Sequence, residues 1–200
     1  PERVRKTVMQ QSSDSERLIG WVQLSLAAAF VTLYLVSPRP GDAGMLAPVP
    51  LALGAYIGFT LVRLGLSYAA KLPEWLLAAS ILADVGLLLA LIWSFHIQYG
   101  QPAAFSLKVP TFIYVFVFIA LRALRFEYRY VLMAGGAAAV GWILMTLLAV
   151  QSGGREIITR NFVSSLTSNA VLIGAELDKV LAIVMVTVVL SLAVWRAQAP

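Results

Sequence analysis

The chain has 200 residues, 60% of them hydrophobic and 12% charged, and its mean hydropathy of +0.84 exceeds what the core of a soluble domain of this size requires. The formal net charge is +5, but Lys and Arg are scattered through short connectors between apolar runs, which argues for membrane topology and against a nucleic-acid face. Cysteine is absent, so there is no disulfide framework and no thiolate metal site.

An α-helix crosses the ~30 Å hydrocarbon core in roughly 20 residues. The polar segment 1–17 comes first and is expected in the cytoplasm. The apolar run after it is about twenty residues long and lacks a small-residue cleavage site, so it is read as a retained span and not a signal peptide. Six spans are expected in all, at about 18–36, 48–70, 75–97, 110–124, 130–150 and 175–195, with 197–200 opening a truncated cytoplasmic linker. The connectors carry Pro, Gly and charge at Ser37 to Asp42, Lys71 to Glu74, Tyr99 to Pro102, Arg125 to Glu127 and Gln151 to Arg155. The fourth span is short, so Lys108 and the arginines at its other end are expected to snorkel to the two interfaces.

Orientation follows from counting basic residues, because cytoplasmic connectors carry the excess. With the N-terminus inside, that face holds ten: Arg3, Arg5, Lys6, Arg17, Arg63, Lys71, Arg122, Arg125, Arg129 and Arg196. The other face holds five: Arg39, Lys108, Arg155, Arg160 and Lys179. The expected fold is thus an all-α, six-transmembrane-helix bundle with both termini in the cytoplasm. The longest connector, from Gln151 to about Gly174, spaces apolar residues helically over Glu156 to Leu166, as either an interfacial amphipathic segment or an ordered loop.

Along the spans, Gly54 and Gly58 form a GxxxG step, and Gly135, Gly136 and Gly141 give the fifth span a smooth face; both are packing signals. Asp84 is a carboxylate well inside the third span, costly unless neutralised. The second and third spans form a tight hairpin, which puts Arg63 at similar depth, so an Arg63 to Asp84 pair is expected, either fixing helix register or handling a signal, ion or proton. His96, Tyr99, Lys108, Glu176 and Asp178 could converge on an outer pocket for a small ligand or metal, although the spacing is not diagnostic of any metal site. Arg122, Arg125 and Arg129 recur at three and four residues; with Phe112 to Leu121 uncharged, they are read as cytoplasmic anchors and not as a voltage sensor. No phosphate-binding loop, nucleophile with base, or catalytic carboxylate dyad is present in the sequence.

In Phe95–Ala103 (FHIQYGQPA), Tyr114–Glu127 (YVFVFIALRALRFE) and Thr167–Lys179 (TSNAVLIGAELDK), the sequence resembles the membrane region of bacterial class III adenylate/guanylate cyclases, from about the third helix to the end. The resemblance implies a six-helix domain in the bacterial inner membrane, ahead of a cytoplasmic cyclase domain. That domain would make cAMP from ATP with Mg or Mn at a homodimer interface. The chain carries none of those catalytic elements and is expected to hold no cofactor of its own. Its implied role is anchor and sensor, with an unidentified small ligand, the lipid bilayer and a second copy as partners. A small transporter or channel, and a purely structural dimerising anchor, are the alternatives.

Overall fold

The structure, a computed structural model, describes residues 2–37, 47–69 and 73–198, with side chains from Asp14 onward apart from Arg155. The seven α-helices among them are α1 (Glu2–Val36), α2 (Pro48–Ala69), α3 (Glu74–Gln98), α4 (Tyr114–Ala123), α5 (Tyr128–Gly153), α6 (Phe162–Thr167) and α7 (Ile173–Gln198). Three 3-10 helices, at Ala103–Lys108, Pro110–Ile113 and Arg155–Ile157, complete the regular structure of the described residues, among which the only strand-like feature is a bridge between Ile158 and Val171. Five helices are long and apolar enough to cross a membrane: α1 from Asp14, α2, α3, α5 and α7. The chain is a multi-pass membrane helical bundle by length and composition.

The fourth expected span is different. Pro110 to Ala123 is apolar but covers only 14 residues, four of them 3-10, so at ~1.5 and ~2.0 Å per residue it rises roughly 23 Å against the ~30 Å core. Before it, Pro102 and Pro110 each start a 3-10 turn, where their missing N–H is harmless. The first turn packs Ala103, Ala104, Ser106 and Leu107 inside the bundle against α3 and α5. Irregular backbone at such a position is tolerated because protein surrounds it. Pro110 to Ala123 is therefore a short apolar helix preceded by a folded-in segment.

The polar segment 1–17 and the first expected span lie on one helix, since α1 runs from Glu2 to Val36 without a break. The connector after α5 turns at Gly154, whose φ of 72° suits glycine. It forms a 3-10 turn and the bridge, and only then the six-residue α6, capped by Asn161 Oδ1 on the amides of Val163 (2.9 Å) and Ser164 (3.4 Å). Phe162, Val163 and Leu166 are exposed on it. The connectors expected at Ser37 to Asp42 and Lys71 to Glu74 lie largely outside the described residues, as do Arg39, Lys71 and the side chains of Arg3, Arg5 and Lys6.

Packing runs α1 on α2, α2 on α3, α3 on α5 and α5 on α7, with α4 set against α3, α5 and α7. The buried positions of α2 step by three and four along Val49, Leu53, Tyr56, Thr60, Arg63 and Ser67, with Leu64 beside them. Small residues allow the close approaches. A Cβ on Gly20 would reach within 2.7 Å of Leu64, and one on Gly135 or Gly141 would run into Thr187 or Leu89. Gly54, Gly58 and Gly136 meet nothing in the monomer, so their smooth faces are not used in packing this bundle.

Candidate functional site

The polar centre of the bundle is built on Asp84 of α3, which is fully buried. Arg63 of α2 lies 2.5 Å from it, Nη1 to Oδ2. Arg122 of α4 makes a second ion pair to the same oxygen, and Gln23 of α1 donates its Nε2 to it at 2.9 Å. Arg63 Nη2 in turn donates to Gln23 Oε1, which closes a ring across three helices. Asp84 Oδ1 is buried and has no hydrogen-bond partner among the described residues. One carboxylate thus faces two guanidiniums, and four helices meet on a cluster with a formal excess of one positive charge. A guanidinium has its donors in a fixed planar fork, so each arginine sets direction as well as charge.

The structure brings Arg63 and Asp84 together, but as half of a larger centre. Arg122, expected as an interfacial anchor, is instead 2% exposed and turned onto Asp84. A cation in the last turn of α4 reaches the buried carboxylate more readily than water. Arg125, one turn further, pairs with Glu16 of α1 at 2.8 Å and lies 4.5 Å from the Tyr130 ring centroid. Arg129 is exposed. Gln23 and Glu16 were not singled out from sequence. The signal lay in α1, where Glu16, Gly20 and Gln23 recur on the stripe that carries buried Ile19, Ala27 and Phe30.

The residues expected to form an outer pocket divide into separate groups. His96 Nδ1 is 2.5 Å from its own helix's Trp93 O and 3.0 Å from Ser106 Oγ. Glu176, nearly buried, accepts from Trp142 Nε1 at 2.9 Å and from Lys179 Nζ at 2.9 and 3.1 Å. Lys179 also donates to Leu107 O at 2.6 Å, pinning the folded-in 3-10 segment to α7. Asp178 is exposed. No group of three His, Cys, Asp or Glu side chains that could hold a metal is formed among the described residues. His96, Glu176 and Asp178 are not brought together as such a group.

Tyr99 and Lys108 do share a space, a cavity of about 530 Å³ at the end of the bundle where α1 stops and α2 begins. Phe30 and Tyr34 of α1, Leu53 of α2 and Phe95 of α3 line it with them. Its rim is fixed by Gln98, whose Oε1 accepts from Val49 N at 3.0 Å, one of the unpaired amides at the start of α2, and whose Nε2 donates to Tyr34 Oη at 3.3 Å. Lys108 donates to the backbone carbonyls of Ser165 and Ser168 at the end of α6. Burial pushes its ammonium below the ordinary value of 10.5; nearby Glu176 raises it and Lys179 lowers it.

No protein-family model, curated protein or solved structure matches the chain. The site is accordingly read from its own geometry.

Proposed function

We propose that this chain is the membrane anchor and sensor domain of a membrane-bound nucleotide cyclase. It would cross the bacterial inner membrane six times with both termini in the cytoplasm, α4 serving as the short fourth pass. Its α7 would pass a signal to a dimeric catalytic domain that makes cAMP. ATP and Mg or Mn belong to that domain, and no residue of this chain is assigned to them.

One observation carries the reading beyond an inert anchor. The turn that follows Arg122 is tied to the far end of α7, where Gln198 Nε2 donates to Phe126 O. Phe126 itself holds a φ of 56°, unusual for a bulky residue. Through α4 the buried Asp84 centre is thus joined to the point from which α7 leaves the bundle. The three strings that resemble cyclase membrane regions supply parts of this geometry: the turn after α3, α4 with Arg122 and Phe126, and the start of α7 with Glu176 and Lys179.

A switch of this kind needs two arrangements of the helices and a ligand that prefers one of them. The test is to place the chain ahead of a dimeric class III cyclase domain and measure cAMP output, beside a fusion carrying an unrelated dimerising membrane anchor. The expected result is that Gln198→Ala and Asp84→Asn shift output in the first fusion at equal membrane abundance. Equal output from all of these would reduce the domain to a structural anchor. Reporter fusions at the two ends check the inward orientation.

A further inference from the structure

We propose that α6 is a membrane-surface element, with Phe162, Val163 and Leu166 inserted among lipid acyl chains at the end of the bundle where α5 stops and α7 begins. The inference goes beyond the cyclase reading and is tested on this chain without any catalytic domain, so either idea can fail alone.

The polarity of the helix runs the wrong way for water. Phe162, Val163 and Leu166 are 62, 65 and 68% exposed, as open as Met185 (58%) and Val189 (63%) in the middle of the apolar helix α7. Spaced by one and three residues, they share one side of α6. Ser164 and Ser165 are the partly buried residues of the helix. A helix lying on a water-covered surface turns its apolar stripe to the protein. Here the serines take that side and the apolar residues face out, with Ile158 also exposed just before the helix.

Depth and backbone bonding select lipid as the cover. Lys108 Nζ donates to the carbonyls of Ser165 and Ser168, and the carbonyl of Leu107, next to it in the chain, accepts from Lys179 Nζ at 2.6 Å. Lys179 is the last charge before the uncharged stretch from Val180 to Trp195. The end of α6 is thus held beside the point where α7 enters its apolar run, the level at which amphipathic segments settle on a bilayer. A six-residue helix leaves most of its N–H and C=O groups open, and lipid tolerates few of those. In α6 the protein itself answers them. Asn161 Oδ1 accepts from the amides of Val163 and Ser164, Thr167 Oγ1 donates to Val163 O at 2.9 Å, Ser168 Oγ donates to Ser164 O at 2.6 Å, and Lys108 takes two of the last carbonyls. Before the helix, Thr159 N donates to Val171 O at 3.0 Å and Val171 N to Ile157 O at 2.7 Å. A protein partner is met with about one hydrogen bond per 100–200 Å². The side formed by Phe162, Val163 and Leu166 offers carbon alone, which suits acyl chains.

The sequence has no cysteine, so single-cysteine variants carry a nitroxide label without background. Phe162→Cys, Val163→Cys and Leu166→Cys are labelled one at a time and reconstituted into phosphatidylcholine vesicles. Collision of the label with oxygen, which concentrates in hydrocarbon, is then compared with collision with a water-soluble nickel chelate. Met185→Cys supplies the hydrocarbon reference and free label in buffer the aqueous one. We expect all three labels to meet oxygen about as often as the Met185→Cys label and to lose most contact with the chelate. Chelate contact like that of free label at any of the three would put α6 in water and overturn the proposal. Low contact with both reagents would put protein over the face, a second copy of the chain if the labels also broaden one another, and would overturn it equally. All three positions are exposed, so a label displaces no packed side chain, and thermal unfolding of each labelled variant should match the native chain.

Discussion

Three carboxylates are buried among the described residues, Glu16, Asp84 and Glu176, and the bundle treats the last two differently. Asp84 lies at the meeting point of α1, α2, α3 and α4 and is fully enclosed, with two arginines and a glutamine amide on one oxygen. Glu176 lies near the start of α7, 7% exposed, and is held by Trp142 of α5 and by Lys179 one turn along its own helix. The first is a long-range brace that holds four helices by charge. The second is a local clamp, and the α5 and α7 helices it joins are otherwise held by close packing at Gly135 against Thr187. Half of the molecule is thus specified by ionic geometry and half by small residues, as apolar helices lack a hydrophobic drive to associate in lipid.

Breaking the brace should have the largest effect. Asp84→Asn leaves two buried guanidiniums without a counter-ion and is expected to lower stability by about 3–5 kcal/mol, measured by denaturation in detergent micelles. The combined change Asp84→Leu, Arg63→Met and Arg122→Met, which removes the charges together, should recover most of the loss. Single changes Arg63→Met or Arg122→Met should cost much less than Asp84→Asn, because one arginine still neutralises the carboxylate. Exchanging Arg63 and Asp84, the rescue expected of a simple pair, should fail here: Arg122 would then face an arginine. A rescued exchange would mean that Arg122 is not part of the centre.

Next comes the packed half. Gly135→Leu should destabilise by about 1–3 kcal/mol or more through overlap with Thr187, and Thr187→Ala should restore part of it. Gly58→Leu, where a side chain meets only the exterior of the bundle, should stay within about 0.5 kcal/mol. Equal effects at the two glycines would dissolve the distinction between a packed and an unpacked smooth face. The clamp ranks lower. Glu176→Gln keeps an oxygen for Trp142 Nε1 and gives up the charge on partly exposed Lys179, so about 1 kcal/mol is expected. Glu176→Ala, which also orphans the indole N–H, should cost more.

The long spans and the Arg63 to Asp84 approach were legible in the sequence, because hydropathy over twenty residues and depth from a hairpin turn are one-dimensional properties. The rest depended on rotation about helix axes. Nothing in the spacing of Arg122, Arg125 and Arg129 tells which of them turns inward; the answer depends on where Asp84 and Glu16 lie on neighbouring helices. Gln23 is polar but uncharged and raises no alarm in an apolar run. The folded-in segment Ala103–Lys108 was hidden for another reason: an apolar stretch between two prolines satisfies a length count for a connector, and only the packing against α3 and α5 shows that it fills the bundle. His96, Glu176 and Asp178 lie near the outer ends of their expected spans, and the structure does not bring them together as a group.

The smallest expected effect tests the cation that neither carboxylate claims. Lys108 lies in the folded-in segment outside the membrane-spanning helices, near Glu176 and Lys179, and burial lowers its pKa from 10.5. The unfolded chain therefore keeps the Lys108 proton up to about that ordinary value, whereas the folded chain releases it earlier. In the window between the two values the unfolded state binds more protons, so the free energy of unfolding rises with pH there and is flat below it. Relative to Lys108→Met, the native chain should gain stability as pH climbs through that alkaline window, read from paired denaturation curves. Equal pH dependence in the two chains would mean that Lys108 is as well solvated folded as unfolded.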